Sequence, residues 1–299
     1  MTGAIAYGFE SDTTSSNVTT SGFGMEDAEI NFAVSEDIEG LGKLGAGLGL
    51  GWGGRSTAAT ANDSYIQFVL ANGTKIKMAS EKGAEYLTGG IAGAGANFEA
   101  DLTYVTGILS RTTNDTVAVT IPVTDAVYFT YKHSEADVVI GTGSASNLNT
   151  PVQRYNTGVL GYKAGAVVAE GQFRSYDNQV SNTATSASTK NRFSASYDLG
   201  VAKIGAGVDQ TSYTYGNTKT ATLVGATVPV GSMTLGVQML SVNAAGNSSS
   251  SSNYTRSGLL AGAQYNLSKR TYVTGQYYGG DVGGTSNQTG YLFSLYNTF

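Results

Sequence analysis

Hydrophobic and polar residues alternate in short runs along this chain, and the clearest run closes it. In the final stretch, TGYLFSLYNTF, one face carries almost only aromatic or apolar residues: Tyr291, Phe293, Leu295 and Phe299, with Asn297 as the exception. A period of two is typical of a β-strand whose two faces meet different surroundings. The run also has the length of a tilted transmembrane β-strand, roughly 9–11 residues.

The alternation recurs throughout the chain and predicts about 16 strands. One of them, at residues 43–53, carries apolar residues on one face and almost only glycine on the other. An apolar face backed by glycine favours the wall of a membrane barrel over a soluble sheet. The predicted strands lie at residues 2–9, 27–35, 43–53, 64–70, 74–80, 125–132, 137–143, 155–163, 167–175, 190–198, 202–213, 220–228, 232–242, 254–265, 271–278 and 289–299.

The connections between these strands are alternately short and long, as periplasmic turns and outer loops are in an outer-membrane barrel. The longest, residues 81–124, holds a glycine- and alanine-rich piece and a more β-like piece, TVAVTIPV. A closed barrel pairs every backbone group, which hydrocarbon requires, and about 16 strands leave a water-filled lumen. We therefore predict an all-β fold, a 16-stranded antiparallel transmembrane β-barrel that forms a single domain over residues 1–299.

Composition supports the barrel and argues against several other classes of protein. The chain has 41 Gly and 19 Tyr in 299 residues, only 13% charged residues and no cysteine. Average usage gives roughly 25% charged residues. The formal net charge of −5 offers nothing to attract nucleic acid. The chain has no run of roughly 18 apolar residues that could form a transmembrane helix. Its N-terminal sequence lacks the pattern of a signal peptide, so the protein is either cytosolic or a mature protein whose signal peptide has been removed, and the barrel pattern favours the second.

The only histidine, His133, falls in a predicted short turn. Outer-membrane phospholipases and proteases use a catalytic histidine, but a single histidine in a turn is more often a solvated turn residue. Without cysteine or a second histidine, classical nucleophile–histidine sites and multi-histidine metal sites are largely excluded. We therefore predict no enzyme activity, no metal site and no cofactor.

Charged residues that point into the lumen are the candidate functional residues. Lys75 and Lys77 share the inner face of the strand that enters the long connection, and two arginines are inward by parity on adjacent strands. Opposed charges across a narrow, water-filled pore create a transverse field that sorts solutes by charge and dipole. The predicted constriction set is Lys75, Lys77, Glu81, Glu85, Glu99, Asp101, Arg174 and Arg192, and Asp27 and Glu29 are assigned to the lumen wall.

Several motifs resemble one known family. The chain ends on Phe299, the segment YNLSKRT at residues 265–271 looks like a last periplasmic turn, and EDIEGLGK at residues 36–43 looks like a first one. Together with the strand that leads into one long loop, they resemble the Gram-negative general porins of the β-proteobacterial type. The resemblance implies a homotrimer in the outer membrane, a long third loop (residues 81–124) folded into the lumen, and Phe299 as an assembly signal. The acidic P-E-F motif often seen at the tip of that loop is missing.

We therefore expect an outer-membrane porin, a water-filled channel for passive diffusion of small hydrophilic solutes and ions. The negative net charge and the acid-rich long loop favour a weak cation preference, and the inward lysines and arginines leave anion selectivity open as the alternative. The expected partners are outer-membrane lipid, lipopolysaccharide and small hydrophilic solutes, and not nucleic acid. Two alternatives stay open: a substrate-selective channel lined by aromatic residues, with Tyr128, Tyr272 and Tyr278 as candidates, and a surface-attached β-rich adhesin or structural protein.

Overall fold

The computed structural model describes residues 1–14, 16–52, 59–82, 91–94, 113–135, 154–177, 187–214, 216–245, 253–281 and 287–299. These residues form sixteen strands and one short 3-10 helix, Ile91–Gly93. The strands are β1 (Thr2–Thr13), β2 (Thr19–Ile38), β3 (Gly42–Gly51), β4 (Thr60–Leu70), β5 (Lys75–Lys82), β6 (Thr113–Pro122), β7 (Val127–Glu135), β8 (Arg154–Ala164), β9 (Val167–Asp177), β10 (Ala187–Asp198), β11 (Lys203–Tyr213), β12 (Thr218–Val230), β13 (Met233–Ala245), β14 (Tyr254–Asn266), β15 (Thr271–Asp281) and β16 (Asn287–Thr298).

The strands close into one antiparallel barrel. Each pairs with its neighbours in sequence, and β1 also pairs with β16. The last residue completes this closure, because the Gly3 N–H donates to the Phe299 carbonyl (2.9 Å) and the Phe299 N–H donates to the Gly3 carbonyl (3.0 Å). The Phe299 ring covers Gly3, which has no side chain to obstruct it. The predicted 16-stranded barrel is thus confirmed.

The two faces of the barrel wall follow the alternation in the sequence. In β16, Tyr291, Phe293 and Leu295 are exposed on the outer face, whereas Leu292 and Tyr296 are buried on the inner face. Successive side chains of a strand point to opposite faces, so one strand serves both surroundings at once. Every backbone group of the closed wall can be paired, which is the condition for crossing hydrocarbon. Among the described residues, no helix is long and apolar enough to cross a membrane.

The connections differ between the two ends of the barrel. Tight turns such as 71–74, 165–166 and 231–232 lie at the end that also holds both ends of the chain. In the first of these turns, Gly73 has φ +82°, a left-handed conformation that glycine adopts without a steric penalty. Longer connections, including residues 83–112 and 136–153, join strands at the opposite end. The alternation read from the sequence is therefore present in the fold.

The structure corrects the predicted extent of the long connection. Strand β5 continues through Lys82, and residues 113–122 form β6, so the connection runs over residues 83–112 and not 81–124. The β6 segment has β-branched residues on both faces, which weakens its alternation: Val117 and Ile121 are exposed outward, and threonines alternate with them. The strand predicted at residues 137–143 lies outside the described residues.

His133 is not in a turn, as the sequence predicted, but in β7. It lies on the outer face, in register with exposed Val117 on β6. Its Nδ1 lies 2.8 Å from Asn156 Oδ1 and its Nε2 lies 3.3 Å from Glu135 Oε1. Arg154 Nε lies 3.0 Å from the same Glu135 oxygen. This polar network faces away from the lumen, so His133 takes no part in the site described next.

Candidate functional site

The interior of the barrel contains part of its longest connection. Residues 91–94, here called the inner segment, contact β9, β10, β11 and β12, although the connection starts at β5. Thr227 Oγ1 on β12 donates a 3.0 Å hydrogen bond to the Ala94 carbonyl. Ala92 is fully buried in an apolar cluster with inward side chains of β12 to β16, among them Leu223 and Leu240. The connection therefore enters the lumen and reaches the wall on its far side.

One side of the lumen is acidic. Glu10 and Asp12 continue the inward-facing positions of β1 beyond Gly8. The pairing between β1 and β2 shifts between Ala6 and Tyr7 of β1. The shift is a β-bulge that adds one residue to β2. Because a bulge leaves one residue unpaired, it allows neighbouring side chains to share a face. We call the carboxylates on this inner face the acidic wall; they are Glu10, Asp12, Glu26, Asp27 and Glu29.

Neutral groups hold four of these carboxylates in place. Tyr278 OH donates to Glu10 (2.8 Å), and the Gln288 amide donates to Asp12 (3.0 Å). Across the barrel closure, Glu26 accepts from Ser294 Oγ (2.7 Å) and Tyr296 OH (3.0 Å). Glu29 accepts from the side-chain amides of Asn31 (3.0 Å) and Asn62 (3.2 Å). Hydrogen bonds from neutral donors fix a carboxylate without cancelling its charge, so this wall presents negative charge to the lumen.

The opposite side of the lumen is basic. Strand β9 lies eight strands from β1 in the closed order of sixteen, which places β9 and its neighbours across the lumen from the acidic wall. Inward cations extend from β9 and β10 through β12 to β14, the last of which is three strands from β1; we call them the basic wall, and they are Arg174, Lys190, Arg192, Lys219 and Arg256. Lys190 and Lys219 line a small recess of ≈ 190 Å³ together with Asp209 and Tyr213.

The basic wall contains a carboxylate, Asp209, that pairs with two of its cations. Arg192 donates to Asp209 Oδ2 from Nε (2.9 Å) and Nη2 (2.5 Å), and Lys190 Nζ lies 3.3 Å from the same oxygen. Arg174 donates from Nε to Thr157 Oγ1 (3.0 Å), and its guanidinium lies 4.0 Å from the centre of the Tyr155 ring. Planar guanidinium groups stack on aromatic rings in this way, which holds them against the wall.

Strand β5 carries the lysines predicted for the constriction. Its Ile76 and Met78 are exposed outward, so Lys75 and Lys77 lie on the inner face. Lys77 forms an ion pair with Glu81, which lies four residues further along the same face of β5, and Lys77 Nζ lies 5.3 Å from the centre of the Tyr65 ring. Three other predicted residues, Glu85, Glu99 and Asp101, lie outside the described residues.

Sequence parity located part of this site and missed the rest. It placed Lys77, Arg174 and Arg192 on the inner face, where the structure has them. It missed Glu10 and Asp12 because the first predicted strand ended at residue 9, although β1 runs through Thr13. The remaining missed residues are Glu26, Lys190, Asp209, Lys219 and Arg256, and for all but Glu26 the inward parity was already readable in the sequence.

The described part of the chain contains no group of three or more His, Cys, Asp or Glu side chains placed to hold a metal ion. The acidic wall spreads its carboxylates along two strands, and neutral donors orient four of the five. The two walls set up an electric field across the water of the lumen, with negative charge on one side and positive charge on the other.

Comparison with known proteins agrees with the closed barrel fold. A family model described as Gram-negative porin matches residues 1–285. The fold is similar to Salmonella typhi OmpF in complex with daunomycin (TM-score 0.75, 12% identity, 100% of this chain and 97% of that chain). It is also similar to the trimer form of Vibrio cholerae OmpT (TM-score 0.71, 11% identity, 100% and 99%) and to a triple mutant of Rhodopseudomonas blastica porin (TM-score 0.64, 12% identity, 100% and 100%). No curated protein sequence matches the chain.

Proposed function

The chain belongs to the Gram-negative porin family and forms a channel in the outer membrane, and we propose that this channel passes small hydrophilic solutes and ions with a weak preference for cations. Passive diffusion needs no cofactor and no energy source, and the family is one of channels and not of enzymes. The absence of catalytic activity stays a prediction. The family match and the closed wall argue against the adhesin considered from the sequence.

The observation that carries the cation preference is the unequal compensation of the two walls. On the acidic wall, the donors to Glu10, Asp12, Glu26 and Glu29 within the described residues are all neutral. On the basic wall, Arg192 and Lys190 share the carboxylate of Asp209. The five cations of the basic wall together with Asp209 carry a formal charge of +4, against −5 for the five carboxylates of the acidic wall, so a cation passing through the lumen meets the slightly more favourable potential.

The inner segment supports a narrowed channel. It lies across the lumen from β5, where its connection begins, and contacts β11 and β12. The connection is the third of the long ones along the chain. A chain segment inside a barrel removes cross-section from the water path, and the walls then act on solutes at shorter range. The constriction roles predicted for Lys75, Lys77, Glu81, Glu85, Glu99 and Asp101 remain part of this proposal, as do those of Arg174 and Arg192.

A homotrimer is proposed as the assembled form. The similar Vibrio cholerae OmpT structure is described as a trimer form, and its likeness extends over the whole chain. The exposed apolar residues of the outer face would meet outer-membrane lipid, including lipopolysaccharide, wherever neighbouring protomers do not cover them. Cross-linking of the detergent-purified protein should give a ladder that ends at three protomers, and a ladder that ends at one would contradict the trimer.

The experiment that tests the preference is the reversal potential of single channels in a planar bilayer under a KCl gradient. We expect the wild-type potential to have the sign of a mildly cation-selective pore. A variant with Glu10→Gln, Asp12→Asn, Glu26→Gln and Glu29→Gln should move it towards the anion side. Each amide keeps the size of its carboxyl group and one acceptor oxygen, while the other oxygen becomes an NH2 donor, so Glu26 and Glu29 each lose one accepted hydrogen bond together with the charge.

The matched control removes a charge that lies outside the lumen. Glu39 lies in the tight turn between β2 and β3, so Glu39→Gln changes the net charge of the protein but not that of the acidic wall. We expect Glu39→Gln to leave the reversal potential unchanged. An unchanged potential in the fourfold variant, or an equal shift in the control, would refute the acidic wall as the source of the preference.

The substrate-selective alternative receives little support from the aromatic residues proposed for it. Tyr278 is almost fully buried and uses its hydroxyl on Glu10. Tyr272 stacks on Tyr296 with ring centres 4.9 Å apart, and Tyr128 donates to Glu170 (2.8 Å). These rings serve the wall itself and do not form a continuous aromatic path for a sugar.

A further inference from the structure

We propose that Gly205 and Gly225, here called the glycine pair, are positioning residues that fix how far the inner segment projects into the lumen and so set the width of the pore. The two glycines lie on the inner faces of the adjacent strands β11 and β12 and are in register with each other. This inference rests on the channel function and deepens the proposed narrowing by the inner segment. It does not depend on the sign of the ion preference.

The close approach of the inner segment to both glycines is the first observation. A methyl group on Gly205 would lie 2.6 Å from the Ile91 carbonyl oxygen and 2.7 Å from that of Ala92. A methyl group on Gly225 would lie 2.8 Å from the Gly93 carbonyl carbon and 2.9 Å from the Ala92 oxygen. All of these are backbone atoms, which cannot turn aside as the end of a flexible side chain can.

The backbone of the wall does not itself require glycine at these positions. Neither Gly205 nor Gly225 has a positive φ, so any residue could adopt the local strand conformation. Glycine within a strand is otherwise unfavourable, because it loses more conformational freedom on folding and provides no side chain to pack. What the pair provides is space, and the backbone of residues 91–93 occupies that space.

The second observation is that the inner segment is anchored on this wall. Ala92 is fully buried and Ala94 is 1% exposed. Ala94 has φ +55°, a conformation that is uncommon for a residue other than glycine. Such a conformation persists where surrounding contacts maintain it, and the hydrogen bond from Thr227 to its carbonyl is one of those contacts.

A methyl group on either glycine would have to displace the inner segment, since the wall behind it is a hydrogen-bonded sheet. The segment can then move only away from the wall, which is towards the axis of the pore. Substitutions that crowd a packed contact are destabilising, and a short docked segment opens more readily than the strands of the wall. We therefore expect both a narrower mean pore and a less firmly docked segment.

The experiment compares single-channel conductance in Gly205→Ala, Gly225→Ala and the double variant with that of Gly24→Ala. Gly24 faces the lumen from β2 with open space around it, so the control adds the same methyl group to a lumen-facing glycine without a clash. We expect a lower mean conductance and more open-channel noise in the glycine-pair variants, and wild-type behaviour in the control. Wild-type conductance in the double variant would overturn the proposal.

A second experiment measures the accessibility of the inner segment directly and does not require a conductance recording. The chain has no cysteine, so Ala92→Cys introduces a single thiol at a fully buried position. In folded protein, a small charged thiol reagent should label this cysteine slowly. Adding the two glycine-pair substitutions should raise the labelling rate about tenfold or more, because the docked segment then opens more often. Equal labelling in both backgrounds would overturn the proposal.

The two readouts separate this proposal from the proposed ion preference. If the acidic wall does not set selectivity, the fourfold acidic-wall variant keeps the wild-type reversal potential, but the glycine-pair substitutions still raise the labelling rate at position 92. If the glycine pair does not position the segment, labelling and conductance stay at their wild-type values whatever the sign of the potential. A variant that fails to fold is identified by the loss of heat-modifiable migration on a gel. If the double variant fails to fold, the single variants Gly205→Ala and Gly225→Ala replace it in both measurements.

Discussion

Replacing Asp209 by asparagine tests how the basic wall balances its charge. The Asp209 side chain is 3% exposed, and its Oδ2 is shared by Arg192 and Lys190 at 2.5 Å and 3.3 Å. Asparagine has nearly the same shape and can still accept a hydrogen bond from the Arg192 guanidinium. The substitution therefore removes one negative charge from the lumen and leaves the wall in place.

The size of the effect follows from Coulomb's law with screening. An ion that passes about 8 Å from the lost charge changes its energy by about 0.5 kcal/mol in water before screening. In 0.1 M salt, where the Debye length is about 10 Å, roughly 0.2 kcal/mol of this remains. Because cations and anions shift in opposite directions, the ratio of their permeabilities should fall about twofold. In 1 M salt the Debye length is about 3 Å and the shift should nearly vanish.

The assay is the reversal potential of Asp209→Asn and wild-type channels, measured across KCl gradients at low and high mean salt. The compensating variant is Lys190→Gln with Asp209→Asn, which removes one charge of each sign from the same contact. We expect this double variant to return towards the wild-type ratio. A shift in Asp209→Asn that is independent of salt, or that the loss of Lys190 does not reverse, would refute the electrostatic reasoning.

Two further predictions concern assembly and stability. Phe299→Ala should lower the yield of heat-modifiable barrel on refolding, because the Phe299 ring covers Gly3 where the wall closes, while Phe299→Leu should retain most of the yield. Leu223→Ala should lower the free energy of unfolding in detergent by about 2–5 kcal/mol, since Leu223 is 1% exposed in the inner apolar cluster. Val224→Ala, at an outward position that is 60% exposed, should have a smaller effect, and equal losses would contradict the burial argument.

Much of the barrel could be predicted because strand periodicity is local. Alternation alone separates Tyr291 and Phe293 from Leu292 and Tyr296, so the outer and inner faces follow without any tertiary information. The same parity places Arg174 and Arg192 in the lumen. It fails where the period is broken, as at Glu26, because a β-bulge adds one residue and the sequence does not mark where the pairing shifts.

The partners of the inward charges could not be predicted in the same way. That Arg192 meets Asp209 depends on the register between β10 and β11, which pairs these two residues directly. That Glu26 accepts from Tyr296 depends on closure of the ring between strands at the two ends of the chain. Register and closure are set by the hydrogen bonds of the whole sheet, and short stretches of sequence carry only part of that information.

The sequence by itself determined an all-β membrane barrel of about sixteen strands, its two faces and the presence of one unusually long third connection, although it placed β6 inside that connection. Only the tertiary structure decided which inward residues stand opposite one another and where that connection comes to lie. The contact between Thr227 and Ala94 joins residues 133 positions apart, and it exists because sixteen strands close into a ring around the inner segment. Alternation is a property of neighbouring residues, whereas a contact across the lumen is a property of the closed ring.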